Sequence, residues 1–210
     1  MTTIEVESMA PSSCGWRSIG AARDRTTGTD SALVGRVARV HDGRMTNRER
    51  TIQWSDPLLT VRAAEGRTGL ELLRAIVEGT VPQAPISAVL DFKLVHAEEG
   101  TVRFEGVPSE SLCNPMGQVH GGFACTLLDS AMSSAVMTTL DARTMYTTVQ
   151  LTVHLTRAIS ADIGTVVAEG RIMHRGRRMA TAEGSLRDRD GALLAHGTTT
   201  CMLMERPPRS

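Results

Sequence analysis

The sequence predicts an α+β fold in which one long central helix is wrapped by a curved antiparallel sheet. Three observations point there. From about His120 to Leu140 the apolar residues Phe123, Leu127, Leu128, Ala131 and Ala135 recur at the helical period. After residue 140 four strand-like runs follow without a helix between them, so the strands must pair mainly antiparallel. Before the long helix, two more strand-like runs meet at Glu98-Glu99-Gly100, a hairpin signal.

Each element has its own local reason. Residues 1–50 are rich in Ser, Thr, Gly and Arg and lack helical or strand periodicity. They are expected to be a disordered extension, with the folded domain at 51–204 and a tail at 205–210. Met45 opens a stretch that reads more like a natural start. Leu70, Leu72, Leu73, Ile76 and Val77 predict a helix over 69–78, with Thr68 as N-cap and Gly79 as stop. Pro82 and Pro85 break the chain, and Ile86–Ala97 and Val102–Val107 read as strands. Asn114-Pro115 ends this part. In the long helix Gly121, Gly122, Ala124, Cys125, Ala131 and Ala135 are small, so another backbone can approach closely. The last four strands are expected at Met145–Arg157, Ile163–Met173, Arg178–Leu186 and Ala192–Met204. In the first of them Val149, Leu151, Val153 and Leu155 alternate with Thr148, Gln150, Thr152 and His154. Turns at Arg175-Gly176-Arg177 and Asp190-Gly191 separate the others.

Composition narrows the function. The chain has 210 residues, 41% hydrophobic and 22% charged, the balance of a globular domain. Lys plus Arg and Asp plus Glu are both 23, and aromatic residues are 3%, which argues against nucleic acid as a partner. No apolar run is long enough to span a membrane. Cys14, Cys113, Cys125 and Cys201 form no metal-ligand spacing and read as reduced thiols of a cytoplasmic protein. No metal or cofactor motif occurs, and G-x-S-x-G, the P-loop pattern and H-E-x-x-H are absent.

The chemistry concentrates in Asn114–Asp129. A helix opening with His120-Gly121-Gly122 presents free backbone N–H groups and its positive dipole end, a place for a developing oxyanion. The same glycine pair also serves plain close packing. Asp129 shares a narrow polar strip with Gly122, Thr126 and Ser133, flanked by Met132, Val136 and Met137. It is either a solvated face or a buried carboxylate with a raised pKa, able to act as base or nucleophile. His120 is either an acid–base group or a loop-orienting hydrogen-bonder. His174-Arg175-Gly176-Arg177-Arg178 is either a solvated turn or a phosphate clamp.

Taken together, Asn114-Pro-x-Gly117-x-Val-His120-Gly-Gly, Leu-Leu-Asp129-Ser, Tyr-Thr-Thr148-Val and Glu169-Gly-Arg with His174-Arg-Gly-Arg resemble the phenylacetate-degradation (PaaI-type) hotdog thioesterases, over roughly residues 69–204. The resemblance implies a hotdog fold, a homodimer or homotetramer, and hydrolysis of acyl-CoA thioesters. By position it implies Asp129 as nucleophile or general base, and Asn114 with the Gly121 N–H as the groups that polarise the carbonyl. His120 would support that loop, and Thr148, or Thr147 by a one-residue slip, would hold the water. Gly122, Ser133, Arg175, Arg177 and Arg178 complete the expected substrate contacts, the arginines for the CoA phosphates. Two other readings stay open: a non-catalytic acyl-CoA-binding module, and an enoyl-thioester hydratase. The hydratase pattern places His two residues after Asn-Pro, whereas His120 lies five after Pro115.

Overall fold

The computed structural model describes residues 3–8 and 47–206 of the chain. A seven-stranded sheet runs in the order β1-β4-β7-β6-β5-β3-β2. Its strands are β1 (Thr3–Ser8), β2 (Phe92–Glu98), β3 (Thr101–Gly106), β4 (Thr144–Leu155), β5 (Val166–Arg175), β6 (Met179–Arg187) and β7 (Leu193–Glu205). All neighbours from β4 to β2 pair antiparallel, and β1 joins the edge of β4 in parallel. The long helix α4 (Gly121–Met137) lies on this sheet, packed mainly on β5 and β6. This is the hotdog arrangement expected from the alternation of segments.

The central helix is buried on nearly every side. Phe123, Ala124, Leu127, Leu128, Ala131, Met132, Ala135 and Val136 are all in the core. Of the polar strip expected on α4, Ser133 is buried and Gly122, Thr126 and Asp129 are half-buried, so it is not a fully solvated face. Glycines on the sheet let the helix backbone settle this close. A Cβ on Gly170 of β5 would sit 2.2 Å from the Ala131 carbonyl oxygen, and one on its register partner Gly184 would sit 2.7 Å from Met132 Cγ.

Three short helices precede the sheet core. Helix α2 (Gly69–Val77) follows the expected boundaries, closed by a full capping box between Thr68 and Glu71. Helices α1 (Pro57–Ala63) and α3 (Pro85–Leu90) were not expected. Each starts on a proline, whose fixed φ suits the first helical position. The strand expected from Ile86 thus begins only at Phe92, after Asp91 reverses the chain at φ 55. A second difference is at the N-terminus. Residues 3–8, expected inside a disordered extension, form strand β1 against Gln150–Leu155. Residues 47–50 of that expected extension are exposed and carry no helix or strand, and its residues 1–2 and 9–46, with Cys14 and Met45, lie outside the described residues.

Candidate active site

The helix α4 opens on a built turn. Asn114 Oδ1 accepts the backbone N–H groups of Met116 at 2.9 Å and Gln118 at 3.3 Å, and Gly117 supports the turn at φ 76. The carbonyl end of the Asn114 amide is thus spent on the loop, and its Nδ2 end is the donor left over. His120 is the N-cap: its Nδ1 accepts the Gly122 N–H at 2.9 Å. This is the contact that the loop-orienting reading of His120 expects. It also removes Gly122 as a free donor and leaves the N–H of Gly121, which no intrahelical bond uses. Gly121 is packed as well as exposed to this role, since a Cβ there would meet Leu155 Cδ1 at 2.6 Å.

Asp129 sits two turns further on. Thr148 of β4 donates its hydroxyl to Asp129 Oδ1 at 3.0 Å. Burial pushes the Asp129 carboxyl above the ordinary value of 3.8, and the Thr148 hydrogen bond opposes that rise. Thr148, not Thr147, is the partner: successive strand residues face opposite ways, and Thr147 is exposed on the other face. One helical turn below, Tyr146 donates to Ser133 Oγ at 3.5 Å. Burial pushes the Tyr146 hydroxyl up to about 12, so it stays a neutral phenol. Cys201 of β7 lies 4.0 Å from the Thr148 hydroxyl, and burial raises its thiol pKa also, so it is not an activated thiolate.

The sequence-predicted residues therefore fall into three groups on one chain, with Thr147 apart from all of them. Asp129, Thr148 and Ser133 come together. Asn114, His120, Gly121 and Gly122 gather at the helix start, eight residues of helix from Asp129. At the helical rise this is a separation of about 12 Å along the axis. Arg175, Arg177 and Arg178 are exposed on the β5–β6 hairpin. Arg175 lies in one cross-strand row with Ala180, Cys201 and Thr148, three strand spacings or about 14 Å from the threonine. Tyr146 was missed by the sequence reading. Its signal was the strand period itself, which puts it on the same face as Thr148.

The fold is the hotdog arrangement, and part of the chain matches a known family. Residues 116–195, the span from the Asn114 turn to the start of β7, match the family model of the thioesterase superfamily. Among solved structures the chain is similar to a phenylacetic acid degradation-related protein of Ralstonia eutropha JMP134, at 27% identity and a TM-score of 0.56, over 62% of this chain and 98% of that one. It is similar to a conserved protein of Pseudomonas aeruginosa at 26% identity and a TM-score of 0.54, over 58% and 94% of the two chains. It shares its fold with a thioesterase family protein of Silicibacter pomeroyi, at 22% identity and a TM-score of 0.57, over 64% and 99%. No curated protein matches the chain. The resemblance to the PaaI-type hotdog thioesterases is borne out by these matches, and they support thioester hydrolysis as the general activity. No helix among the described residues is long and apolar enough to cross a membrane.

Proposed function

We propose that the protein hydrolyses acyl-CoA thioesters to the free acid and CoA, with Asp129 as the catalytic carboxylate. The observation that carries this reading is a carboxylate half-sunk in the hotdog core and tethered by a single hydroxyl, Thr148. Burial raises the basicity of such a group, which favours proton transfer from water, and the Thr148 hydroxyl holds one of its oxygens in place. Asp129 either takes a proton from a water that attacks the thioester carbonyl, or attacks the carbonyl itself to form a mixed anhydride that a water then hydrolyses to the free acid and the restored carboxylate. The carbonyl oxygen becomes an oxyanion, the C–S bond breaks, and the CoA sulfur leaves and takes up a proton. Donors aimed at the oxyanion are worth roughly 3–4 kcal/mol each in the transition state. The Gly121 N–H and the Asn114 Nδ2–H are the donors suited to that task.

These donors and Asp129 of the same chain are too far apart to act on one carbonyl. A two-fold dimer that sets two α4 helices side by side and antiparallel removes the problem, because Asp129 of the partner subunit then reaches the helix start. The site is accordingly read as shared between two subunits of a homodimer or homotetramer. Arg175, Arg177 and Arg178 are assigned to the CoA phosphates, and the free thiols Cys113, Cys125 and Cys201 accord with a cytoplasmic setting.

The test is thiol release from a panel of acyl-CoA substrates, followed with a thiol reagent. The wild-type protein should turn over, and Asp129→Asn should lose at least about 100-fold in kcat while staying folded. A variant within about threefold of wild type would remove Asp129 from the mechanism.

A further inference from the structure

Below Asp129 the helix and β4 run side by side in opposite directions. Asp129, Ser133 and Met137 form one stripe of α4 at a spacing of four residues. Thr148, Tyr146 and Thr144 form the facing row of β4. Thr148 meets Asp129 and Tyr146 meets Ser133, so the seam leads from the carboxylate toward the C-terminal end of α4. There it reaches a cleft of about 100 Å³, lined by Tyr146, Thr144, Leu72 and Met137 among others. Leu72, Met137, Met145 and Arg206 also line an adjoining groove of about 430 Å³ whose other wall is α1. The groove is apolar where the cleft is mixed, with Val61, Ala64 and Leu72 in its walls.

Helix α1 is suited to give way. It has no buried residue, and Val61 is 49% exposed although it faces the groove. It is held mainly at its C-terminal end, where the Ala64 carbonyl accepts Arg206 Nη1 at 3.0 Å, and by a long bond from Thr60 Oγ1 to the Pro82 carbonyl at 3.4 Å. The side of the groove facing α4 is firm by contrast. A Cβ on Gly69 would lie 1.9 Å from the Met137 carbonyl oxygen, so α2 abuts the end of α4 directly.

We propose that Tyr146 sets the acyl-chain limit of the site by closing the passage between Asp129 and this apolar groove. The proposal rests on the thioesterase reading above. Its occupant is an unbranched aliphatic acyl chain, because the way from Asp129 runs between a single helix stripe and a single strand row and ends at an apolar groove. With the tyrosine ring in place, the chain ends at Ser133. Without the ring, the chain runs on past Met137 to lie against Leu72 and Val61.

The experiment compares hexanoyl-CoA with dodecanoyl-CoA for the wild type, Tyr146→Phe, Tyr146→Ala and Tyr146→Ala/Val61→Trp. Dodecanoate and hexanoate binding is measured by calorimetry on the same proteins. The wild type and Tyr146→Phe should favour the short chain, since the ring and not the hydroxyl closes the seam. Tyr146→Ala should raise the dodecanoyl-to-hexanoyl ratio of kcat/KM by about fourfold for each methylene that enters the groove. Adding Val61→Trp should cancel that gain by filling the groove. Tyr146→Leu serves in place of Tyr146→Ala if the smaller side chain does not fold. An unchanged ratio in a folded Tyr146→Ala protein overturns the proposal, as does a gain that Val61→Trp leaves intact. If the wild type releases no thiol from any acyl-CoA, the thioesterase reading fails and calorimetry decides the gate alone. Tighter dodecanoate binding by Tyr146→Ala, with hexanoate unchanged, then supports the gate, and equal binding overturns it.

Discussion

Asp129 sets two opposing demands on one side chain. Burial makes it a stronger base and also makes its charged form costly to fold. Its folded-state pKa lies above its unfolded value, so the folded chain holds the proton more tightly. The stability linked to that proton is fully present below the unfolded value and is lost as pH rises through the folded one. At neutral pH the charged Asp129 therefore opposes folding, and Asp129→Asn should melt above the wild type. The gap should close as pH falls below 3.8. Thermal melts across pH check this, and a wild type that is the more stable of the two at neutral pH would refute it. Thr148 works in the other direction. Its hydroxyl stabilises the carboxylate, so Thr148→Val should raise the Asp129 pKa further and move the acid limb of the kcat/KM profile to higher pH. Thr148→Ser, which keeps the hydroxyl, should return the limb toward its original place. An acid limb that ignores both changes would separate Thr148 from Asp129 in function.

Among the elements, those with a long periodic signal are where the sequence puts them. Helix α2, helix α4 and strands β4 to β7 match their expected positions within a few residues. The elements that differ are short or non-local. Helices α1 and α3 span 7 and 6 residues, too few for a helical period to stand out from the prolines that start them. Strand β1 exists through its backbone pairing with β4, which no local pattern in residues 3–8 announces. It covers the β4 edge at Gln150–Leu155. Deleting residues 1–44 should leave the core and its melting temperature nearly unchanged, while the uncovered backbone edge increases self-association. Sizing chromatography and a thermal melt test both parts, and a loss of several degrees would mean that the segment stabilises the domain. The β5–β6 hairpin gives a separate expectation. Arg177→Ala/Arg178→Ala should raise KM for an acyl-CoA and leave the same acyl group on pantetheine, which lacks the nucleotide phosphates, unaffected. An equal effect on both substrates would take the arginines out of phosphate binding.

At the scale of the whole molecule, the question is whether two subunits make one site. Asp129→Asn and Asn114→Ala should each be nearly inactive alone. Unfolded and refolded together in equal amounts, about half of the dimers should be mixed by isologous pairing. Each mixed dimer holds one site with both residues intact and one with both lost, so roughly a quarter of all sites should regain activity. If the two residues acted within one chain, every site would keep one lesion. No recovery, with mixed dimers verified by mass, would defeat the shared site.

The sequence by itself determined the central helix and the run of antiparallel strands after it, and it singled out the candidate site residues. Period and capping are local properties, and Phe123 through Ala135 or Val149 through Leu155 carry them in full. The glycine pair at a helix start and the carboxylate among apolar neighbours marked Gly121, Gly122 and Asp129 as candidates, and the resemblance to the hotdog thioesterases added a role for Asn114. Tertiary structure decided the rest. Only packing against β4 showed that Asp129 is tethered by Thr148 rather than solvated, and that Thr147 faces away. Only the turn geometry showed that His120 spends its Nδ1 on the Gly122 N–H. The pairing of β1 with β4, and the seam from Asp129 past Tyr146 to the groove under α1, join residues far apart in the chain. Such contacts depend on how whole elements dock, and a local pattern of residue types holds no record of that.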